Sequence, residues 1–396
     1  MKSNFVFTSE SVSAGHPDKL CDIISDAIVD KYLSGDPFSR IVAESAVANG
    51  VIFISARFYS GASIDIPQTA RDVIRQIQYT GEDFNSTDCS ILTNFNELPA
   101  ELYSTVDETA LSQDDFDQFP AKNHATVFGF ACNQTENLMP LPIHLAHGIV
   151  KRLDSLRLQE KLTYLLPDAT AQVAVEYRDK RPYRVHSINL ITAHHKLDQS
   201  GLHDMFEDIT DQVLKPVIEP EAVRFDQKTR VYINPAGPIT RGGPAVHSGL
   251  TGRKNATDTY GQYCRHSAAA LSGKDPSRID RVGNYIARYA AKNIVAAGLA
   301  DECEVQLSYA IEQAQPVSIQ VETFDTTRVD EDTLTEHLKQ HIDFRPAAII
   351  ARFNLRHLPA ITKDGFYQKL ASYGQFGRDE LNLPWEKTDI AEALKE

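Results

Sequence analysis

Three times along this chain, residues with helical apolar spacing stand beside runs that alternate or are β-branched, and that recurrence restricts the fold more than any other feature. After "SAGHPDK", Leu20, Ile23, Ile24, Ala27, Ile28 and Leu33 recur at three- and four-residue steps, the spacing of one helix face. Asp18, Asp22 and Asp26 line another face. "RIVAESAV" and "GVIFISARFY" read as strands and "TARDVIRQIQYTG" as a second helix. The next set is a strand "HATVFGFA", a helix "PIHLAHGIVKRLDSLRLQ", strands "AQVAVEYRD" and "VHSINLITAHH", and a helix "LHDMFEDITDQVLKPVI". The last has the long amphipathic helix "RIDRVGNYIARYAAKNIVAAG", stopped at Gly298, then strands "EVQLSYAI" and "SIQVETF" and a helix "DEDTLTEHLKQHI". A chain of 396 residues exceeds one ordinary core. The order of elements predicts an α+β protein of three similar-sized units, residues 1–110, 111–235 and 236–396, without a sequence-level repeat. Between the first two, "DETALSQDDFDQFPAKN" is acidic and broken by Pro120; it reads as an exposed connection or mobile loop.

No apolar run is long enough to cross a bilayer, and "MKSNFVFTSES" lacks the features of a secretory signal. The expectation is a cytoplasmic protein without a membrane partner. A net charge of −14 disfavours a nucleic-acid surface, which selects for basic faces. Five scattered cysteines without CxxC spacing suggest reduced packing residues.

Any polyanion must therefore meet positive charge that is locally concentrated. Residues 253 to 281 carry a net +3, from Arg253, Lys254, Arg265, Lys274, Arg278 and Arg281 against Asp258, Asp275 and Asp280. Gly242, Gly243, Gly249, Gly252 and Gly273 lie around them, and glycine lets backbone amides approach phosphate oxygens. Neither "GLTGRK" nor "GKDPS" is a Walker loop, and GxGxxG is absent. Asp18 and Asp280 sit beside basic neighbours; hard divalent cations on phosphates are held by one or two such carboxylates. His16 can donate to a phosphate. Each feature also has a plainer reading: a helix cap at His16-Pro17-Asp18, a solvated basic loop, and a solvent-facing strand residue at Glu44.

"FTSESVSAGHPDKLCDIISDAIVD", "GGPAVHSGLTGRKNATDTYG", "SGKDPSRIDR", "YIARYAAKNIVAAGLADECEVQLSYAI" and "YGQFGRDELNLPWEKTD" resemble the S-adenosylmethionine synthetases through nearly the whole chain. The resemblance implies three related α/β domains around a pseudo-threefold axis, and a homodimer or dimer of dimers with active sites at the subunit interface. It implies attack of a thioether sulfur on C5′ of ATP, loss of triphosphate, and cleavage of that triphosphate to phosphate and pyrophosphate. It assigns His16, Arg253, Lys254, Lys274 and Arg278 to the triphosphate and Asp168 to the ribose. Asp18 and Asp280 would hold Mg2+, Glu44 would lie at a K+ site, and Arg57, His247 and Ile311 would meet the acceptor.

The departures from the family pattern are concentrated. Asn123 in "NHAT" stands for an aspartate, Thr170 for a lysine, Ile239 for the aromatic that stacks on adenine, and Ala14 for a glutamate. Arg57 and His247 occupy the positions of two carboxylates that hold the methionine ammonium. Basic and metal-binding positions persist while both ammonium-binding carboxylates are gone. This asymmetry predicts adenosyl transfer to a changed acceptor, such as a thioether acid lacking the α-amine. The alternatives are an ordinary methionine enzyme with compensating residues and a silent nucleotide-binding paralogue that regulates a true synthetase.

Overall fold

The computed structural model describes residues 3–99 and 105–395. Its centre is the helix Pro17–Gly35, buried from Pro17 to Leu33 with Lys31 alone reaching solvent. An acidic helix can be buried this way only if its carboxylates find donors, because an unpartnered buried charge is costly. They find them at four-residue steps. Asp18 accepts from the Leu250 amide (3.1 Å), Asp22 from Gly252 (2.8 Å), Asp26 from Gly273 (2.8 Å), and Asp30 from Tyr367 and Gln368 (2.9 Å each). Residues four apart share a helix face, so this acidic stripe fastens the helix to the C-terminal third of the chain. Arg281 adds a two-pronged bond to Asp26 (2.7 and 2.8 Å), and Lys19 is buried between Asp22 and Asp258.

Besides the short pair Thr80–Gly81 and Phe84–Asn85, three sheets build the fold, each drawing a strand from a distant stretch of sequence. In the first, Phe5–Val12 pairs antiparallel with Leu165–Arg178, which continues to Arg181–His194 and the parallel Arg230–Ile233. The second runs Gly249–Leu250, Arg40–Ala48, Val51–Tyr59 and Ser90–Glu97, and the third Ser318–Glu322, Glu302–Tyr309 and Ala125–Cys132. One long helix packs on each: Leu141–Leu158 on the first, Pro17–Gly35 on the second, and Ile279–Ala296 on the third. The fold is α+β, and its three units interleave rather than follow one another.

Gly298 (φ +71°) ends the last of these helices, its amide bonding to the Val295 carbonyl. Local pattern did not reveal the strands Phe5–Val12 and Arg230–Ile233, the largely exposed strand Ser90–Glu97 or the helix Pro346–Phe353. The segment 107–123 departs from the expected loose connection. Glu108 is buried against Arg356 in a two-pronged pair (2.5 and 2.6 Å), and Phe116 packs on Ala347 and Ala348 beneath Arg345. Its anchors lie more than 200 residues away, so no local pattern announces them. Among the described residues no helix is long and apolar enough to cross a membrane.

Candidate active site

The first cluster forms at the start of the central helix. His16 is the N-cap, with extended backbone (φ −61°, ψ 135°), and Pro17 begins the helix, a position where proline's missing N–H costs nothing. The Asp18 amide donates to His16 Nδ1 (3.2 Å). The neutral ring therefore carries its proton on Nε2, as a donor. Burial pushes the His16 pKa down to about 4, outweighing the pull of Asp168 and Asp18, so the ring stays neutral at physiological pH.

Around Asp18 stand Arg253 (Nη1 3.9 Å from Oδ1) and Lys254 (Nζ 3.9 Å from Oδ2 and 3.8 Å from Glu10 Oε1). These separations exceed hydrogen-bond range. The cations flank the carboxylate without closing on it, which leaves donors for an anion. Opposite lies His247, its ring centroid 4.9 Å from that of His16. Its Nε2 donates to Asp168 Oδ2 (2.9 Å), and the same oxygen accepts the Gly243 amide (2.7 Å). The bond to Asp168 raises the His247 pKa above the ordinary histidine value. Gly249 makes this convergence possible: a Cβ there would lie 2.1 Å from the Pro17 carbonyl carbon.

The second cluster lies on the outer face of the strands Arg40–Ala48 and Val51–Tyr59. Val42 stands opposite Arg57 and Glu44 opposite Ser55, so alternation brings Glu44 and Arg57 to one face. They line a cavity of about 280 Å³ with Lys274, Arg278 and Asp280. Asp280 Oδ2 accepts from Lys274 Nζ (3.0 Å) and Asn123 Nδ2 (2.8 Å). Gly273, at φ +78°, would place a Cβ 2.0 Å from the Ala43 carbonyl oxygen; only glycine lets this loop lie so close to the strand.

Of the sequence candidates, His16, Asp18, Asp168, His247, Arg253 and Lys254 gather in the first cluster and Glu44, Arg57, Lys274, Arg278 and Asp280 in the second. No residue belongs to both. Ile311 lines neither; it is 47 % exposed, with its amide directed at His124 Nδ1 (3.3 Å). Thr170 sits opposite Val12 in the first sheet, and Ile239 pairs through its backbone with His194.

The glycine-rich loops correct one expectation. The Gly243, Gly252 and Gly273 amides already donate to Asp168, Asp22 and Asp26, so the glycines serve close packing, and phosphate must be met by side chains. Two of the six cations are likewise structural: Arg265 pairs with Glu304 (2.6 Å) and Arg281 with Asp26. Sequence reading missed Glu10, which the tertiary fold brings to Lys254, and Arg40, whose neighbours across its cavity come from all three parts of the chain.

Asp18 stands among Arg253 and Lys254, and Asp280 shares its cavity with Glu44 and the cations Arg57, Lys274 and Arg278. A metal ion at either place needs phosphate charge beside it, and Asp18 and Asp280 suit Mg2+, which takes its remaining ligands from phosphate and water. Arg57, beside Glu44, weakens that carboxylate as a seat for K+.

Two sets of lysine, arginine and carboxylate groups on an interleaved α+β scaffold define a phosphate-handling transferase. Family models for the N-terminal, central and C-terminal domains of S-adenosylmethionine synthetase match residues 4–99, 118–239 and 241–387. The chain is similar throughout to proteins named S-adenosylmethionine synthase. That of Crocosphaera subtropica is 45 % identical (100 % of this chain, 98 % of the relative), and that of Nostoc punctiforme 46 % (100 % and 96 %). That of Synechococcus elongatus is 43 % identical (100 % and 98 %). The chain belongs to the S-adenosylmethionine synthetase family, whose members are ATP-dependent adenosyltransferases.

Proposed function

We propose that this enzyme transfers the 5′-deoxyadenosyl group of ATP to a thioether acceptor without an α-ammonium, releasing triphosphate that is then cleaved to phosphate and pyrophosphate. One observation carries the changed acceptor. Arg57 opens into the Lys274–Arg278–Asp280 cavity and makes no hydrogen bond or ion pair among the described residues. An ammonium beside this unpartnered guanidinium would be repelled; an anionic or neutral group is favoured.

The sulfur–C5′ bond forms as the C5′–oxygen bond breaks, and the bonding pair leaves on the triphosphate. A thioether has no proton to lose, so no general base is required. Rate must come from alignment and from stabilising charge on the leaving group. His16 donates Nε2–H to a phosphate oxygen as a neutral group. Arg253 and Lys254 add charge on one side, Lys274 and Arg278 on the other, and Asp168 receives the ribose. Asp18 and Asp280 would hold Mg2+, which supplies further charge neutralisation on the phosphates.

Because the resemblance sets both clusters on one triphosphate and they share no residue, we take the active form to be a dimer. Each site then joins the first cluster of one subunit to the second cluster of its partner. The test is incubation with ATP, Mg2+ and either methionine or its deamino analogue 4-(methylthio)butanoate, reading triphosphate breakdown and adenosylated product by mass spectrometry. The expected result is product from the acid and little from methionine. Efficient methionine turnover with none of the acid would restore the ordinary specificity. No triphosphate breakdown under any condition would indicate a silent paralogue.

A further inference from the structure

A cavity of about 510 Å³ adjoins the second cluster and shares Arg57 and Arg278 with it. Its polar wall is strongly one-sided. Arg40, Arg57, Arg278 and Lys122 face it, and its single acid, Glu108, is already held in the two-pronged pair with Arg356. Lys122 is drawn outward to Glu312 (3.3 Å). The three arginines are not satisfied by the protein. Arg40 Nη1 and Arg278 Nε are buried without a hydrogen-bond partner.

The nearest acid to Arg40, Asp275, approaches only to 3.9 Å and is engaged by the Ile41 and Ser277 amides (2.8 Å each). Buried donors left unmade are expensive, and three cations on one wall repel one another. That combination marks a place where an anion completes the structure.

The opposite wall is hydrocarbon: Phe119, Pro120, Pro346, Ala347 and Ile350. A phosphate has no apolar part to set against such a wall. A carboxylate on a short aliphatic chain does, and its planar two-oxygen edge matches the fork of a guanidinium. We propose that this cavity binds the carboxylate end of the acceptor, with Arg57 and Arg40 on the carboxylate, the chain along Phe119 and Ile350, and the sulfur directed past Arg278 toward the reaction centre. This assignment rests on the changed-acceptor reading above and adds to it the acid group and its seat.

Calorimetry on the intact protein without nucleotide tests it, comparing 4-(methylthio)butanoate with 4-(methylthio)butan-1-ol and inorganic phosphate. The acid is expected to bind about tenfold or more tightly than the alcohol, the scale of one charge-assisted hydrogen-bonded pair. Arg57→Gln should abolish that preference and Arg57→Lys retain part of it. Arg57 is solvent-exposed, so these variants fold even if an Arg40→Gln variant does not. Equal binding of acid and alcohol, or an acid preference unchanged in Arg57→Gln, overturns the proposal, and so does tighter binding of phosphate than of the acid. Triphosphate release from ATP, run in parallel, separates the two readings. Selective acid binding without turnover sinks the transfer and leaves the cavity assignment standing. Turnover with binding indifferent to Arg57 does the reverse.

Discussion

At Asp168 a single carboxylate oxygen receives two donors, the Gly243 amide (2.7 Å) and His247 Nε2 (2.9 Å). His247 thus does what a carboxylate at its position could not: it takes a positive charge and pairs with the residue assigned to the ribose. Its raised pKa means that the folded state binds this proton more tightly than the unfolded chain. The resulting stabilisation is complete below the ordinary histidine value of about 6.5 and is lost as pH rises through the raised folded value. For a pair this open to solvent the effect is about 1 kcal/mol or less. Asp168→Asn should return His247 to an ordinary or lower pKa in an NMR titration; an unchanged titration would disprove the coupling. Arg57 gives the second prediction at this scale. With Arg57 beside Glu44, K+ should stimulate triphosphate release only weakly. Arg57→Glu changes the local charge by two units, so added K+ should then stimulate release more strongly, relative to an equal concentration of tetramethylammonium. Stimulation of the parent enzyme to the same degree would show that Arg57 does not weaken the cation seat at Glu44.

The central helix concentrates what can be tested at the scale of an element. Arg281→Met leaves the Asp26 carboxylate buried with only the Gly273 amide as partner, and loss of one member of a buried pair costs about 3–5 kcal/mol. Urea unfolding should register a loss of that size; less than 1 kcal/mol would mean the pair is incidental. Asp30 behaves differently, for burial lifts its pKa to about 7 despite the amides of Gln368 and Tyr367. Its folded pKa lies above the unfolded value, so stability is highest below the ordinary carboxylate range and falls as pH rises toward 7. Asp30→Asn removes the titration, and its stability relative to the parent should improve between pH 4 and 8 by about 2–4 kcal/mol, one pKa unit being about 1.4 kcal/mol. A constant difference across that range would refute the shift. This helix also shows what sequence can reveal. Its existence, its start at His16 and its acidic stripe were legible from spacing alone. The stripe's use was not, since its partners, from Leu250 to Gln368, lie more than 200 residues away. Lys19 depends on a distant partner in the same way: the helix turns it inward to Asp22 and Asp258.

For the whole molecule, interleaving is the property that local pattern could not supply. Strands alternate whether they pair with a neighbour in sequence or with a distant segment, so most strands of the three sheets were legible singly, and their assembly into sheets was not. The same long-range pairing carries the two clusters. His16 at the start of the central helix meets Asp168 of the first sheet, while the second sheet carries Glu44 and Arg57, and among the described residues no hydrogen bond or ion pair joins the two clusters. If a site is built from one cluster of each subunit across a twofold axis, chains damaged in different clusters should repair each other. Lys254→Met disables the first cluster and Lys274→Met the second, so each homodimer should be inactive. When the two variants are unfolded together and refolded as a mixture, random pairing makes half the dimers mixed. Each mixed dimer has one site made of two damaged clusters and one made of two intact ones. Triphosphate-releasing activity should therefore return to roughly a quarter of that of the parent enzyme. If both clusters served one site within a single chain, no pairing could bring an intact set together, and the mixture would stay inactive however long it exchanged.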